Sequence, residues 1–356
     1  MILADLHIHA LRNISTARLQ LHPHCNLFVG PNGSGKTSLL ESIYLLSTGR
    51  SFRTHEVSPL ISHEHDRLTV FGSMTDEQTI SVQKLKSGST TVRINRQSCL
   101  NSSELAYFFP SQICYQDIFQ IIDSGPAIRR SMLDWGLFHV EPSYHKLWQD
   151  FKRVLKQRNA LLKRKTNISE LTPWNHLFVT LAEQLDLLRT NYISNLKTVF
   201  NETLSNLSQL SCSITYYKGW DKKESGKSLS TTLLDCYDSD LQRQYSQYGP
   251  HQADILFYST DFKAKQILSR GQQKIILIAL KLAQTRLLNK PCIYLLDDIA
   301  SELDHVHLQR FLAYMFEQPY QFILTAIQPT ILDYLKNLPH ASFTVEHGMF
   351  HVKQAT

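Results

Sequence analysis

The chain has 356 residues, 42% hydrophobic and 19% charged, with a formal net charge of +6. That length points to about two structural units, and the composition excludes a disordered, collagen-like or disulfide-stapled chain. The basic excess points to an anionic partner. The longest aliphatic run, Ile275 to Leu280, stops at Lys281, far short of a bilayer span, so no membrane association is expected.

The opening MILADLHIHALRN lacks the basic leader and long apolar core of a signal peptide. Cys25, Cys99, Cys114, Cys212, Cys236 and Cys292 are scattered without a C-x-x-C pair, which predicts free thiols and a cytoplasmic protein. Four H-x-H pairs, His7/His9, His22/His24, His63/His65 and His305/His307, are expected on solvated strand faces rather than at a metal.

In chain order, Ile2 to Ala10 alternates as a strand, with a second short strand around Arg18 to Leu21. Cys25 to Val29 is the strand that feeds Gly30-Pro31-Asn32-Gly33-Ser34-Gly35-Lys36-Thr37-Ser38, and a helix follows. Gly30, Gly35, Lys36 and Thr37 stand at the spacing G-x-x-x-x-G-K-[ST]. Between a strand and a helix, that spacing wraps a triphosphate in backbone amides at the positive end of the helix. Lys36 is then the cation for the β- and γ-phosphates, and the Thr37 hydroxyl a ligand for Mg²⁺.

After this helix comes the basic turn Gly49-Arg50-Ser51-Phe52-Arg53, then β-rich runs at Leu68 to Ser73, Thr79 to Leu85 and Thr90 to Asn95. From Pro126 the texture is helical. In Tyr144 to Arg164 the apolar Leu147, Phe151, Val154, Leu155, Leu161 and Leu162 predict one face and the basic residues the other. Between Lys146 and Lys165 eight lysines and arginines face the single acid Asp150. A second stripe, Leu177, Leu181, Leu185, Leu188, Tyr192, Leu196, predicts another long helix after a break at Thr166 to Pro173, the two making an antiparallel hairpin. The basic face makes Lys152, Arg153, Lys156 and Arg158, with Arg50 and Arg53, the candidates for contacting an anionic partner.

Near Tyr248 the α/β texture returns: a strand at Ala253 to Tyr258, a helix at Gln272 to Leu288 and a buried strand at Cys292 to Leu296. A helix at His305 to Phe316, a buried strand at Gln321 to Ala326 and a helix at Thr330 to Leu338 follow. Ile293 to Asp298 is an apolar strand ending in two carboxylates, the Walker B pattern. There Asp297 would bind Mg²⁺ and Asp298 would polarise the attacking water. The predicted organisation is an α/β head at 1–122 and 248–356, interrupted by a helical lobe at 123–247.

Leu268-Ser269-Arg270-Gly271-Gln272 makes a good N-cap and turn by its residues alone. It also resembles the LSGGQ signature of ABC-type ATPases, whose serine and amides grip the γ-phosphate held by another subunit's P-loop. Ser301-Glu302-Leu303-Asp304 resembles their D-loop. Over nearly its whole length the chain resembles the RecF family of DNA replication and repair ATPases. The resemblance is carried by LRNI (Leu11 to Ile14), the P-loop, GRSFR, Arg129-Arg130 with Leu133-Asp134-Trp135, LKQRNALL (Leu155 to Leu162), Gly249-Pro250-His251 with Ala253-Asp254, LSRGQ, and LLDDIASELD (Leu295 to Asp304).

The resemblance implies an ABC/SMC-type head with a compact helical lobe, ATP and Mg²⁺ as cofactors, and an ATP-dependent homodimer. It further implies binding to double-stranded DNA at single-strand gaps or junctions, with Arg50, Arg53, Lys152, Arg153, Lys156 and Arg158 as the candidate DNA contacts, and RecR and RecO as partners in loading recombinase. Hydrolysis would be slow, DNA-stimulated and used for timing. Tyr115-Gln116 before Asp117 stands where that family commonly has Pro-Glu, and Thr325-Ala326-Ile327 holds no switch histidine, which leaves the γ-phosphate sensor open. Two rival readings are a transporter's nucleotide-binding subunit and a small-molecule P-loop kinase. The first is disfavoured by the long, basic interval between Lys36 and Ser269, the second because it leaves the signature and D-loop without a role.

Overall fold

The computed structural model describes residues 2–99, 101–115, 121–222, 225–260 and 262–355. Residues divide into two compact units: 1–119 with 206–208 and 290–356, and 120–205 with 209–289. The division after residue 289 places the signature segment with the helical unit, whereas the sequence reading returns to the head at 248.

In the first unit β1 (Leu3–Leu11) and β2 (Ile14–Gln20) form a hairpin, and β3 (Cys25–Val29) leads into α1 (Lys36–Thr48). A meander of β4 (Arg67–Met74), β5 (Thr79–Leu85), β6 (Thr90–Ile94) and β7 (Gln97–Cys99) precedes α2 (Ser102–Phe108) and β8 (Ser111–Cys114). The second unit holds α3 (Pro126–Val140), α4 (Tyr144–Lys163), α5 (Ile168–Leu207), whose C-terminal end reaches the first unit, and β9 (Ser213–Tyr217). It continues with α6 (Leu229–Asp235), α7 (Tyr237–Arg243), β10 (Asp254–Ser259), β11 (Phe262–Lys263), α8 (Ala264–Ile267) and α9 (Arg270–Arg286). Back in the first unit come β12 (Ile293–Leu296), α10 (Ile299–Glu302), α11 (His305–Phe316), β13 (Gln321–Ala326), α12 (Leu332–Leu335), β14 (Ala341–Glu346) and β15 (Met349–Ala355).

The first unit has two six-stranded sheets. One, ordered β2-β1-β4-β5-β6-β7, is antiparallel, and its strands alternate buried and exposed residues because only one face is covered. The other, β15-β14-β3-β13-β12-β8, is parallel except at β15. Its inner strands β12 and β13 are buried at every residue, which is why they read as uninterrupted apolar runs. Helix α1 packs between these sheets, its Leu39, Leu40, Ile43 and Leu46 joining one core with Leu6, Ile8, Val70 and Leu295. Strands β14 and β15 are not expected from the sequence. The last helix is also shorter than expected, a 3-10 turn at Pro329–Ile331 followed by the single turn α12.

In the second unit α4 and α5 run antiparallel, with Arg158 against Asn175, Phe151 against Phe178 and Tyr144 against Arg189. Helix α5 begins at Ile168, ahead of Pro173, because the Asn167 side chain accepts from the Glu170 amide and starts the first turn there. Its buried seam is Phe178, Ala182, Leu185, Arg189, Tyr192, Leu196 and Phe200. Leu177 is 45% exposed, and Leu188 gives way to Arg189. Of the four H-x-H pairs only His7/His9 lies on a strand; His305/His307 opens α11, where Asp304 caps the helix by accepting from the His307 amide.

One DNA candidate is corrected outright. Arg158 is fully buried, since the seam of α4 runs Tyr144, Phe151, Val154, Arg158, Leu162 and so includes position 158. Its guanidinium donates to Asp240 at 2.8 Å, Ser246 at 2.6 Å and Asn175 at 2.8 Å. Arg189 is its counterpart on α5, donating to Asp134, Tyr144 and the Pro250 carbonyl and lying over the Trp148 ring. Removing Arg158 strands a buried carboxylate. Arg158→Ala should therefore cost about 3–5 kcal/mol in urea denaturation, whereas exposed Lys152→Ala stays within about 0.5 kcal/mol.

Candidate active site

The parallel sheet sets the site, because β3, β12 and β13 are neighbours and all end at the same edge. The loop after β3 approaches β14 so closely that a Cβ on Gly30 would lie 2.2 Å from the Val345 carbonyl oxygen. Gly35, at φ +119°, turns the chain into α1 in a conformation that side chains disfavour. Two further contacts hold the loop from outside. Asn13, in the β1–β2 turn, donates to the Gly33 carbonyl at 3.1 Å and accepts from Ser38 Oγ at 3.0 Å. The Gly348 amide of the β14–β15 turn donates to the Ser34 carbonyl at 2.7 Å.

Lys36 is 6% exposed, and its ammonium donates to the carbonyls of Gly30 at 2.7 Å and Pro31 at 2.8 Å. Burial lowers its pKa, opposed by the charges of Asp297 and Asp298. The Thr37 hydroxyl lies 3.2 and 3.0 Å from the two carboxylate oxygens of Asp297. Burial raises the Asp297 pKa, while hydrogen bonds from Thr325 and Thr37 pull it down. The charge of Lys36 pulls it down as well.

Thr325, absent from the sequence reading's site, joins both acids. Its hydroxyl donates to Asp297 Oδ1 at 2.8 Å and accepts from the Asp298 amide at 2.8 Å. Asp298 itself takes a left-handed conformation, φ 48° and ψ 44°, which aims its side chain differently from its neighbour's. Ser301, first residue of the D-loop segment, donates to Asp298 Oδ2 at 2.6 Å, and Asp298 Oδ1 is buried without a hydrogen-bond partner.

These residues fit Mg²⁺-ATP. One carboxylate and one hydroxyl are the hard oxygen donors that magnesium accepts when substrate phosphates and water complete its shell. The buried Ser34 Oγ and Asp298 Oδ1, each lacking a partner, are polar atoms at the loop and beside the acid. The signature residues lie in the other unit. Ser269 caps α9 by accepting from the Gln272 amide, while Gln272 Oε1 accepts from the Ser269 amide, and this reciprocal cap starts the helix two residues before the sequence reading does. Ser269, Arg270 and Gly271 are exposed, so the amides of that helix end face outward. Gln116 and Asp117 lie outside the described residues; Tyr115 is half-buried against Phe52.

A family model described as the RecF/RecN/SMC N-terminal domain matches residues 2–349. The DNA replication and repair protein RecF of Psychromonas ingrahamii is 37% identical over 99% of this chain and 100% of its own length. That of Shewanella woodyi is 38% identical over 98% and 97%. The chain belongs to the RecF family. A solved structure of the recombination mediator protein RecF with ATP, in the RecFOR pathway, superposes with a TM-score of 0.85 at 24% identity, covering 99% of this chain and 98% of that one. An Smc head bound to the C-winged helix domain of ScpA does so at 0.60 and 16% identity over 99% and 97%, so the ABC/SMC-type fold is shared.

Within this site, substitution of Thr325 tests whether Asp297 serves a metal or the nucleotide alone. Thr325→Val keeps the shape but takes one hydrogen bond from Asp297 and leaves the Asp298 amide unpaired, at a cost of about 1–3 kcal/mol. In titrations with and without Mg²⁺, the variant should lose several-fold affinity for Mg²⁺-ATP and little for metal-free ATP. Equal losses in both would detach Thr325 from the metal side of the site.

Proposed function

We propose that this protein is an ATP-controlled DNA clamp of replication and recombinational repair, closing as an ATP-dependent homodimer on gapped or junction DNA. The observation that carries the reading is the part-buried Thr37–Asp297–Thr325 network beside Asp298, in a chain whose signature residues Ser269, Arg270 and Gly271, exposed at the start of α9, belong to a different compact unit. One P-loop and one signature per chain make two composite sites when two copies pair symmetrically. Family membership supports DNA as the substrate and RecR and RecO as partners, and disfavours the transporter reading. No helix among the described residues is long and apolar enough to cross a membrane.

In this scheme the loop amides and Lys36 hold the triphosphate, while Thr37 and Asp297 hold Mg²⁺, which when bound offsets charge on the phosphates. Asp298 takes the proton of the attacking water, its backbone fixed by Thr325 and its second oxygen by Ser301. Ser269 and the free amides of Arg270 and Gly271 meet the γ-phosphate of the other copy. Hydrolysis is slow, rises with DNA and opens the clamp. Lys152, Arg153 and Lys156 lie exposed on α4, and Arg50 and Arg53 are exposed after α1, as phosphate contacts require.

The decisive experiment is sedimentation with ATP. Ser269→Arg should bind ATP as the parent does yet remain monomeric; a dimer from this variant would end the composite-site reading.

Asp298→Asn should bind ATP and dimerise, hydrolyse about 10²–10⁴-fold more slowly in single turnover, and dwell longer on a gapped duplex. Parental turnover together with parental release from DNA would place the general base elsewhere.

A further inference from the structure

The inner face of the antiparallel sheet carries a lysine where its strand calls for an apolar residue. Along β5 the buried positions are Ile80, Val82 and Lys84, and Lys84 is only 7% exposed. Its ammonium donates to Thr90 Oγ1 at 3.0 Å. Burial lowers its pKa, and the charge of Arg50 lowers it further. Glu41, on the neighbouring α1, does not compensate, because both arms of Arg12 and the Ser51 hydroxyl already engage it.

Lys84 and Arg50 line a cavity of about 520 Å³ at the C-terminal end of α1, together with the hydroxyl-bearing Thr54 and the apolar Leu60 and Val92. Among the described residues its lining contains no carboxylate and shares no residue with the P-loop. Two cations drawn together, one of them desolvated, oppose folding unless an anion joins them. The volume suits a ligand larger than a bare inorganic ion.

We propose that this cavity binds a nucleotide unit through its phosphate, with Lys84 and Arg50 on the phosphate oxygens and Leu60 and Val92 against the organic part. The nucleotide is either one residue of a DNA strand or a free mononucleotide. The strand source rests on the DNA-binding reading above.

The test uses the full chain with its P-loop saturated by a non-hydrolysable ATP analogue, and deoxycytidine monophosphate as the probe in calorimetry. The parent should bind the probe. Lys84→Met should weaken that binding at least ten-fold without lowering the melting temperature or the affinity for the ATP analogue. Arg50→Gln, at an exposed position, should weaken it several-fold, so the question is answered even if the first variant folds poorly. In a second arm with a gapped duplex, a DNA affinity reduced by Lys84→Met, with a log–log salt slope shallower by about one, identifies the strand as the source. Unchanged DNA binding alongside lost probe binding identifies the free mononucleotide. No probe uptake by the parent, or uptake unaltered in both variants, overturns the proposal. A parent that binds no DNA at all would instead count against the clamp reading.

Discussion

The catalytic half of this molecule depends on one arrangement: the Asp297 carboxylate held between the hydroxyls of Thr37 and Thr325. These three residues are far apart in sequence, and the parallel pairing of β12 with β13 and of β13 with β3 brings their strand ends together. A carboxylate at that edge is desolvated and is answered by the hydroxyls of Thr325 and Thr37 and by the charge of Lys36, so it favours a nearby cation. The same contact fixes the direction of the neighbouring acid, because Thr325 also accepts from the Asp298 amide. One threonine thus sets the spacing between the candidate metal ligand and the candidate base.

The P-loop is held in a comparable way from beyond its own segment. Asn13 from the first hairpin and Gly348 from the last one fasten the carbonyls of Gly33 and Ser34. The loop's glycines give it freedom, and these two turns take that freedom away. A loop held in its binding conformation loses less entropy when a triphosphate arrives. Both ends of the chain therefore contribute to a site whose named motif is in neither.

Charge follows the same logic of burial. Arg158 and Arg189 sit on the seams of α4 and α5, where each is enclosed by acceptors and aromatic rings. Lys152, Arg153 and Lys156 share a segment with Arg158 yet remain exposed. A basic stretch is thus divided by helical period into an internal tie and an outward-facing patch, and only the second is open to solvent.

Local sequence determined a great deal, since a glycine-rich loop, a buried strand ending in Asp297-Asp298 and a capped helix at Ser269 are each written in contiguous residues. Strands β12 and β13 and helix α11 were legible for the same reason: burial on all sides or on one face imposes a period. What the sequence could not determine were relations across long separations. Thr325 reads as the end of a strand until β13 lies beside β12, and Gly348 carries no signal in the sequence until the β14–β15 turn brings its amide to Ser34. Arg158 lay on the apolar period of its helix but carries a charge, and only the presence of Asp240, Ser246 and Asn175 makes its burial tolerable. Lys84 is the reverse case, a cation on an inward strand position with no carboxylate among the described residues that line its cavity, a feature that exists only in three dimensions.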